Sequence, residues 1–406
     1  MLKVKINLMS LNRRGVFNTP PIFQLGISII YYIKSGYYFF LIIFFLSSCT
    51  GESKSCCKEL SQSLPINKIP DSLKIDSNSV TTIHIDSIYN RTGQYANFGF
   101  QFFTKGDMHY LVYLNSSKDS LIFINLFDDK DYKMANMKGL IKSQGKYTIK
   151  FISDTLHIMD IEGYHYMQLK LLSDFRFEKI YESNLSKAIE PKHLFLNSNL
   201  VVDKKLAFFN PYLISFYGNY KTKNNMDSKA WIKINIQTGE KKFFFDFPDE
   251  YRRCYQRDFY SLIEKISDSL VLAIFRKYNK IYQVNIFSGV ITYSSPGFSF
   301  YSNYMCYDET QEKNLAYTSK YDLLDEENSN LIWANDKIFL IKRLKRENKK
   351  DPIKCAILVF NKTLEHVATY FPDKSVWPRL SFAYKEGVLI LSDSLTKAYY
   401  YGFKNN

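Results

Sequence analysis

Residues 280–293 read KIYQVNIFSGVITY and predict a β-hairpin. Apolar and polar residues alternate along the first half, as expected for a half-buried strand. The turn falls at Ser288-Gly289, where glycine accommodates the positive φ that tight hairpin turns require. A second strand rich in β-branched and aromatic residues follows. This stretch supplies the unit from which the fold class can be inferred.

The same theme recurs along the chain. Residues 230–245 (AWIKINIQTGEKKFFF) turn at Thr238-Gly239, and two further copies lie at 165–181, around Ser173-Asp174, and at 356–370, around Lys362-Thr363. A second element is an aspartate-led strand start, in which the aspartate makes the turn that launches an apolar strand. It occurs at Asp119, Asp154, Asp268 and Asp336.

Repeats of ~40–50 residues that each carry four strands are typical of β-propeller blades. We therefore predict an all-β β-propeller of about six four-stranded blades, within a range of five to seven. Another all-β architecture is the alternative. Helical periodicity is nearly absent, and only residues 259–265 could form a turn or two of helix.

The stretches YLVYLNSSKDSLIFINL (110–126) and SDTLHIMDIEG (153–163) resemble a family of Bacteroides-type lipoproteins. That family carries a domain of unknown function grouped with TolB-like six-bladed propellers. The resemblance covers roughly residues 84–405 and includes the lipoprotein signal, but Met137–Leu140 replaces the expected turn between the first blades. It implies the architecture and leaves the activity open.

The N-terminus carries a lipoprotein signal. The apolar run from Gly36 to Leu46 is followed by Ser47, Ser48 and Cys49, so that Leu46–Ser48 form the recognition sequence before a lipidated Cys49. Eleven residues suit a signal peptide and are short of the ~20 that span a bilayer. The alternative is an uncleaved membrane helix over 22–46. A translation start upstream of the true one would explain why residues 1–33 precede the signal.

These features divide the chain into three predicted parts. Residues 1–48 form the signal peptide, residues 49–83 a lipidated flexible tether rich in Ser, Lys and Asp, and residues 84–406 the propeller domain. Thr50 follows Cys49 in place of the aspartate that favours inner-membrane retention. We therefore expect a lipid-anchored envelope protein, with the outer membrane preferred.

The charge balance favours anionic partners, although an AT-rich genome would also enrich lysine. The formal net charge is +14, and the signal peptide contributes five basic residues and no acidic ones, which leaves +9. The cysteines other than Cys49 lack a C-x-x-C pair, so zinc and thioredoxin motifs are not expected. One disulfide among Cys254, Cys306 and Cys355 is left open.

One loop and one short segment are candidate ligand sites. Their arginines could clamp a carboxylate or phosphate, and their aromatic rings could stack on a sugar. The candidate residues are Tyr251, Arg252, Arg253, Tyr255, Arg257, Trp377 and Arg379. Other charged runs have simpler explanations. Asp322–Asn328 and Lys342–Lys350 are interpreted as solvated loops, and 157–165, with its histidines and carboxylates, as a strand edge and hairpin with no metal.

No hydrolase, metalloprotease or nucleotide-binding motif is present in the sequence. The sequence therefore favours a membrane-tethered binding or scaffolding module whose partner is an envelope protein or an anionic glycan. No cofactor and no nucleic-acid partner are expected. The alternative is a propeller-type hydrolase or lyase acting on glycans or peptides, which would need convergent carboxylates, or a histidine with a carboxylate, at the channel mouth.

Overall fold

A computed structural model describes residues 81–84, 101–115, 119–127, 131–142, 147–160, 165–185, 206–209, 212–216, 229–247, 261–295, 313–314, 316, 326–348, 350–393 and 397–403. These residues all belong to one compact unit, 56–406. They form 24 strands in six four-stranded antiparallel sheets. The predicted signal peptide, Leu46–Cys49 and the tether up to residue 80 lie outside the described residues.

One sheet combines strands from both ends of the described chain. Sheet 6 contains β1 (Thr81–His84), β22 (Val376–Tyr384), β23 (Gly387–Ser392) and β24 (Lys397–Gly402), in the order β1-β24-β23-β22. The register pairs Thr81 with Tyr400 and His84 with Lys397. The first described strand, Thr81–His84, therefore lies at the predicted domain boundary.

The other five sheets are each built from four consecutive strands in sequence order. Sheet 1 contains β2 (Gln101–Lys105), β3 (Met108–Asn115), β4 (Ser120–Asn125) and β5 (Tyr132–Asn136). Sheet 2 contains β6 (Tyr147–Ile152), β7 (Thr155–Asp160), β8 (His165–Leu171) and β9 (Phe177–Asn184). Sheet 3 contains β10 (Leu206–Phe209), β11 (Tyr212–Phe216), β12 (Lys229–Asn235) and β13 (Lys241–Asp246).

Sheets 4 and 5 follow sheet 3 in the sequence. Sheet 4 contains β14 (Ser261–Lys265), β15 (Leu270–Phe275), β16 (Ile281–Asn285) and β17 (Ile291–Ser294). Sheet 5 contains β18 (Glu327–Ala334), β19 (Lys337–Arg343), β20 (Cys355–Asn361) and β21 (His366–Tyr370). Of residues 259–265, the one stretch whose sequence could form a turn or two of helix, Ser261–Lys265 is a strand that pairs with β15.

The innermost strand of each sheet is called its first strand, which in sheet 6 is β22. These first strands lie side by side around the centre. Contacts join β2 to β6, β10 to β14, β14 to β18, β18 to β22 and β22 to β2. The fourth strands β5, β9 and β17 are mostly exposed. This radial arrangement of four-stranded blades is a β-propeller, which confirms the predicted fold class. The sequence predicted about six blades. The described strands form five sheets of consecutive strands and one sheet that combines β1 with β22, β23 and β24.

The core lies between neighbouring sheets. Apolar side chains of sheets 1 and 2 form one buried cluster, which includes Phe103, Phe123 and Leu156. Equivalent clusters lie between sheets 3 and 4, 4 and 5, 5 and 6, and 6 and 1. Neighbouring sheets cover the inner strands on both faces, and strands such as β15 (LVLAIF) and β20 (CAILVFN) are accordingly almost continuously apolar.

The predicted hairpin repeats are confirmed and occupy equivalent places. All four connect the third and fourth strands of a sheet, namely β8–β9, β12–β13, β16–β17 and β20–β21. Gly239 and Gly289 have φ values of 74° and 75° at the turns, as the sequence predicted. The aspartate-led starts are less uniform. Asp154, Asp268 and Asp336 lead second strands, whereas Asp119 leads the third strand β4.

Candidate ligand-binding face

The face of the propeller at which first strands begin and second strands end is called the top face below. Three sheets meet there. In sheets 4 and 5, Ser261 pairs with Phe275 and Glu327 pairs with Arg343, so the start of each first strand lies beside the end of the second. The side-chain amide of Asn328 donates to the carbonyl oxygens of Phe275, at 2.9 Å, and Tyr278, at 2.7 Å. These bonds align the tops of sheets 4 and 5.

Seven charged side chains converge on this face and are called the Glu327 cluster: Arg276, Lys277, Glu326, Glu327, Lys342, Arg343 and Arg379. The Glu327 side chain is 1% exposed, yet it is an ion-pair partner of four cations. Arg276 contacts Oε2, Lys277 lies 3.8 Å from it, and Arg343 lies 3.4 Å from it. Arg379 Nη2 donates to Oε1 at 3.1 Å. A carboxylate can be buried at this depth because several cations replace its hydration.

Glu326 and Lys342 form a second, smaller pair within the cluster. Their charged atoms lie 3.6 Å apart and both side chains are buried. Burial raises the pKa of Glu326, and the neighbouring Lys342 opposes that shift. Burial lowers the pKa of Lys342 to about 8, against the opposite effect of Glu326. Desolvation therefore outweighs the attraction between the two charges, and each group is more easily neutralised than in water.

Two first strands are irregular beside the cluster. The register of β18 against β19 shifts between Asn328 and Asn330, and that of β22 against β23 shifts between Val376 and Ser381. Bulges of this kind turn side chains out of the regular pleat and are common next to binding sites. Here they lie on the neighbouring strands that carry Glu327 and Arg379.

Buried hydrogen bonds fix the irregular segment of β22. The amide nitrogen of Asn330 donates to the carbonyl and to the hydroxyl oxygen of Ser381, both at 2.8 Å. The Ser381 hydroxyl in turn donates to the carbonyl of Pro378 at 2.9 Å. Pro378 lies between Trp377 and Arg379, so the two residues are held by a fixed backbone.

Trp377 and Arg379 are the two candidate residues that the structure describes. Val376, Pro378 and Leu380 are buried, whereas Trp377 is 41% exposed and the Arg379 side chain 30% exposed. Trp377 and Arg379 are therefore the two solvent-accessible residues between three buried ones in the irregular segment of β22. The Trp377 ring is exposed, not packed into the core.

The other candidate residues lie outside the described part of the chain: Tyr251, Arg252, Arg253, Tyr255 and Arg257. Arg257 precedes Ser261, the first residue of β14, by only four positions in the sequence. The role of this arginine-rich stretch stays a prediction.

Two charged runs behave differently from the sequence interpretation. Glu326, Glu327 and Asn328, which end the acidic run predicted to be solvated, are buried at the start of β18. Lys342, which begins the basic run predicted to be a solvated hairpin tip, is buried in β19. Both interpretations are wrong at these residues, because each run supplies the charges that compensate the other.

The other titratable residues of interest lie on β7, β8 and β9 of sheet 2. His157 Nδ1 lies 2.6 Å from the Tyr166 hydroxyl, and burial lowers the pKa of His157 to about 4. His165 Nε2 lies 2.9 Å from Glu182, and this pair joins the third and fourth strands β8 and β9. Within the described ranges, no group of three His, Cys, Asp or Glu side chains could hold a metal ion.

The remaining observations concern the cysteines and the search for membrane-spanning helices. Cys355 is buried and free, and burial raises the pKa of its thiol to about 12. Cys254 and Cys306 lie outside the described residues. Among the residues that the structure covers, no helix has the length and apolar character needed to cross a membrane.

Of the comparisons with known proteins, only the one with solved structures gives matches. No family model matches the sequence, and no curated protein matches it either. The fold is similar to that of a DUF4221 family member from Bacteroides vulgatus, with a TM-score of 0.59, 11% identity, and coverage of 82% of this chain and 99% of that chain. At this identity the similarity establishes the fold alone.

Two other Bacteroides structures are more distant. One, from Bacteroides fragilis, carries the description of an exported protein and has a TM-score of 0.48, 10% identity, and coverage of 84% of this chain and 97% of that chain. The other, a DUF4623 family protein from Bacteroides eggerthii, has a TM-score of 0.45, 10% identity, and coverage of 84% and 78%.

Proposed function

We propose that this chain is a lipid-anchored binding module of the bacterial cell envelope, built as a TolB-like propeller. Its partner is an envelope protein or an anionic glycan. The observation that carries the proposal is the Glu327 cluster, in which seven charged side chains converge at the top face. Five of these side chains are buried and fix the face, whereas Arg343 and Arg379 are 22% and 30% exposed and present their charges to solvent in a pre-organised arrangement.

The location in the envelope rests on the sequence. Leu46-Ser47-Ser48-Cys49 behind an apolar run of signal-peptide length supports lipidation of Cys49, and Thr50 supports the outer membrane. Lipid chains on a cysteine supply enough buried CH₂ groups for stable anchoring.

The geometry gives less support to a hydrolase or lyase. The two glutamates at the top face converge, but both are paired with cations, and Glu327 is paired with four. The pair His165–Glu182 lies on β8 and β9, away from the first strands that surround the centre. The described carboxylates and histidines therefore favour binding.

Two measurements test the proposal. Expression with a labelled fatty acid should label the chain and place it in the membrane fraction, and Cys49→Ser should abolish both results. Persistence of Cys49→Ser in the membrane without label would support an uncleaved helix instead. Crosslinked pull-down from envelope extracts, beside an Arg252→Ala/Arg253→Ala/Arg257→Ala variant, should capture a defined partner with the parent chain. An empty pull-down together with turnover of envelope glycans would overturn the binding-module proposal.

A further inference from the structure

Trp377 and Arg379 combine two chemistries two residues apart at the start of β22. The guanidinium of Arg379 has five N–H donors in a planar fork, and the hydrogen bond to Glu327 uses one terminal nitrogen, Nη2. The side chain is 30% exposed, so part of the fork is accessible from solvent. A planar fork of this kind suits a carboxylate in a bidentate arrangement.

Trp377 provides a flat apolar surface beside this donor. The neighbouring residues Val376 and Pro378 are buried, whereas Trp377 itself is 41% exposed. Residues two positions apart are at most about 7 Å apart between Cα atoms, whether or not the strand is regular. This spacing brings a ring that stacks on Trp377 within reach of Arg379 if the ring bears a carboxylate.

The two groups are held in place before any ligand binds. Glu327 fixes the guanidinium of Arg379, and the bonds from Asn330 to Ser381 and from Ser381 to Pro378 fix the backbone between the two side chains. Glu327 is a positioning residue in this arrangement. Arg343, 22% exposed, contacts the same carboxylate and adds positive potential at the same place.

We propose that Trp377 and Arg379 bind a saccharide that contains hexuronic acid. The apolar face of the pyranose ring stacks on Trp377, and its carboxylate accepts hydrogen bonds from Arg379. A phosphate or sulfate ion would use the guanidinium alone and would make no use of the exposed indole. This inference rests on the proposed binding function and names its ligand class.

Titration calorimetry on the full chain in detergent micelles tests the inference, with trigalacturonate as the acidic probe, the neutral trisaccharide cellotriose, and inorganic phosphate. Trigalacturonate should bind at least roughly tenfold more tightly than either of the others. Trp377→Ala should weaken it roughly tenfold. Arg379→Lys keeps the charge but loses the planar fork of donors. It should therefore also weaken trigalacturonate binding and reduce the ratio between the affinities for trigalacturonate and cellotriose.

Tyr293→Ala is the matched control, because Tyr293 is 45% exposed on the outer strand β17. It should bind trigalacturonate like the parent, and the thermal midpoint of Trp377→Ala should equal that of Tyr293→Ala. Absence of trigalacturonate binding, equal binding of cellotriose or phosphate, or full binding by Trp377→Ala would overturn the saccharide proposal. If the saccharide test fails but Cys49-dependent anchoring and a crosslinked partner are still observed, the proposed binding function stands and only the ligand class is wrong.

Discussion

Glu327 and Arg379 connect two neighbouring first strands of the propeller, β18 and β22, through a hydrogen bond of 3.1 Å from Arg379 Nη2 to Glu327 Oε1. The same carboxylate is also an ion-pair partner of Arg276, Lys277 and Arg343 from sheets 4 and 5. One buried side chain therefore holds three sheets together at the top face. Its charge has structural as well as functional consequences.

Neutralising Glu327 should destabilise the fold strongly. Glu327→Gln keeps the shape of the side chain but leaves buried cations without their counter-charge, and breaking a buried pair in this way costs about 3–5 kcal/mol. The free energy of unfolding from urea titration measures the effect. Asp246→Asn is the control, because Asp246 forms an exposed pair with Lys229, at 2.7 Å, that contributes about 0–1 kcal/mol. Equal losses in the two variants would contradict a structural role for the buried charge.

The buried pair Glu326–Lys342 should make stability depend on alkaline pH. The pKa of Lys342 falls from 10.5 in the unfolded chain to about 8 in the fold. Between these values the unfolded chain binds more protons than the folded chain, so this lysine makes the free energy of unfolding rise with pH. The slope is at most about 1.4 kcal/mol per pH unit.

Unfolding experiments from pH 7 to 10.5 measure this contribution. The double variant Glu326→Gln/Lys342→Met removes both charges, and its stability should lack the alkaline rise that Lys342 gives to the parent. The difference between the two curves isolates the pair from other groups that titrate in the same window. A constant difference across the window would mean that Lys342 keeps an ordinary pKa in the fold.

Hairpin chemistry made the fold class predictable from sequence. The turns at Gly239 and Gly289 require a positive φ, which local sequence reveals directly. A further repeat signal is an asparagine at the end of the third strand, at Asn125, Asn235, Asn285 and Asn361. The Oδ1 atom of each accepts backbone N–H groups of the turn that follows.

The Glu327 cluster could not be predicted in the same way. Its members come from positions 276 to 379, and a run of charges in a sequence gives no information about what it will face in the fold. Solvation is the usual outcome for Glu and Lys. Only the strand registers, which bring Glu327 beside Arg343 and β18 beside β22, show that the acidic and basic runs compensate each other. Trp377 and Arg379 were identifiable because a tryptophan and an arginine two residues apart suggest a site on local chemistry alone.

The asparagine at the end of β16 should stabilise its hairpin. Asn285 Oδ1 accepts hydrogen bonds from the backbone N–H groups of Phe287, at 2.9 Å, and Ser288, at 3.1 Å. Asn285→Ala should therefore cost about 1 kcal/mol and speed hydrogen exchange of the Phe287 and Ser288 amides. Asn285→Asp retains the acceptor oxygen and should preserve most of the protection. Equal exchange rates in both variants would show that the side chain does not hold the turn.

The composite sheet 6 should be sensitive to a single methyl group at Gly387. A Cβ atom there would overlap the carbonyl oxygen of Tyr401 and lie 2.9 Å from Gly402 Cα, and both neighbours are backbone atoms of β24 that cannot move without shifting the strand. Because β24 also pairs with β1, the shift would disturb the sheet that joins the two ends of the described chain. Gly387→Ala should therefore cost at least about 3 kcal/mol of unfolding free energy.

Gly106→Ala provides the comparison that separates overlap from backbone strain. Gly106 has a φ of 59°, and no atom lies within 4 Å of an added Cβ, so alanine there should cost only about 1–2 kcal/mol through its left-handed conformation. Urea unfolding of both variants measures the two costs. Hydrogen exchange should show the loss of protection of Gly387→Ala centred on β23 and β24, whereas Gly106→Ala should affect the β2–β3 turn alone. Equal stability of the two variants would mean that β24 yields to the methyl group, and that the closure of sheet 6 is looser than its packing indicates.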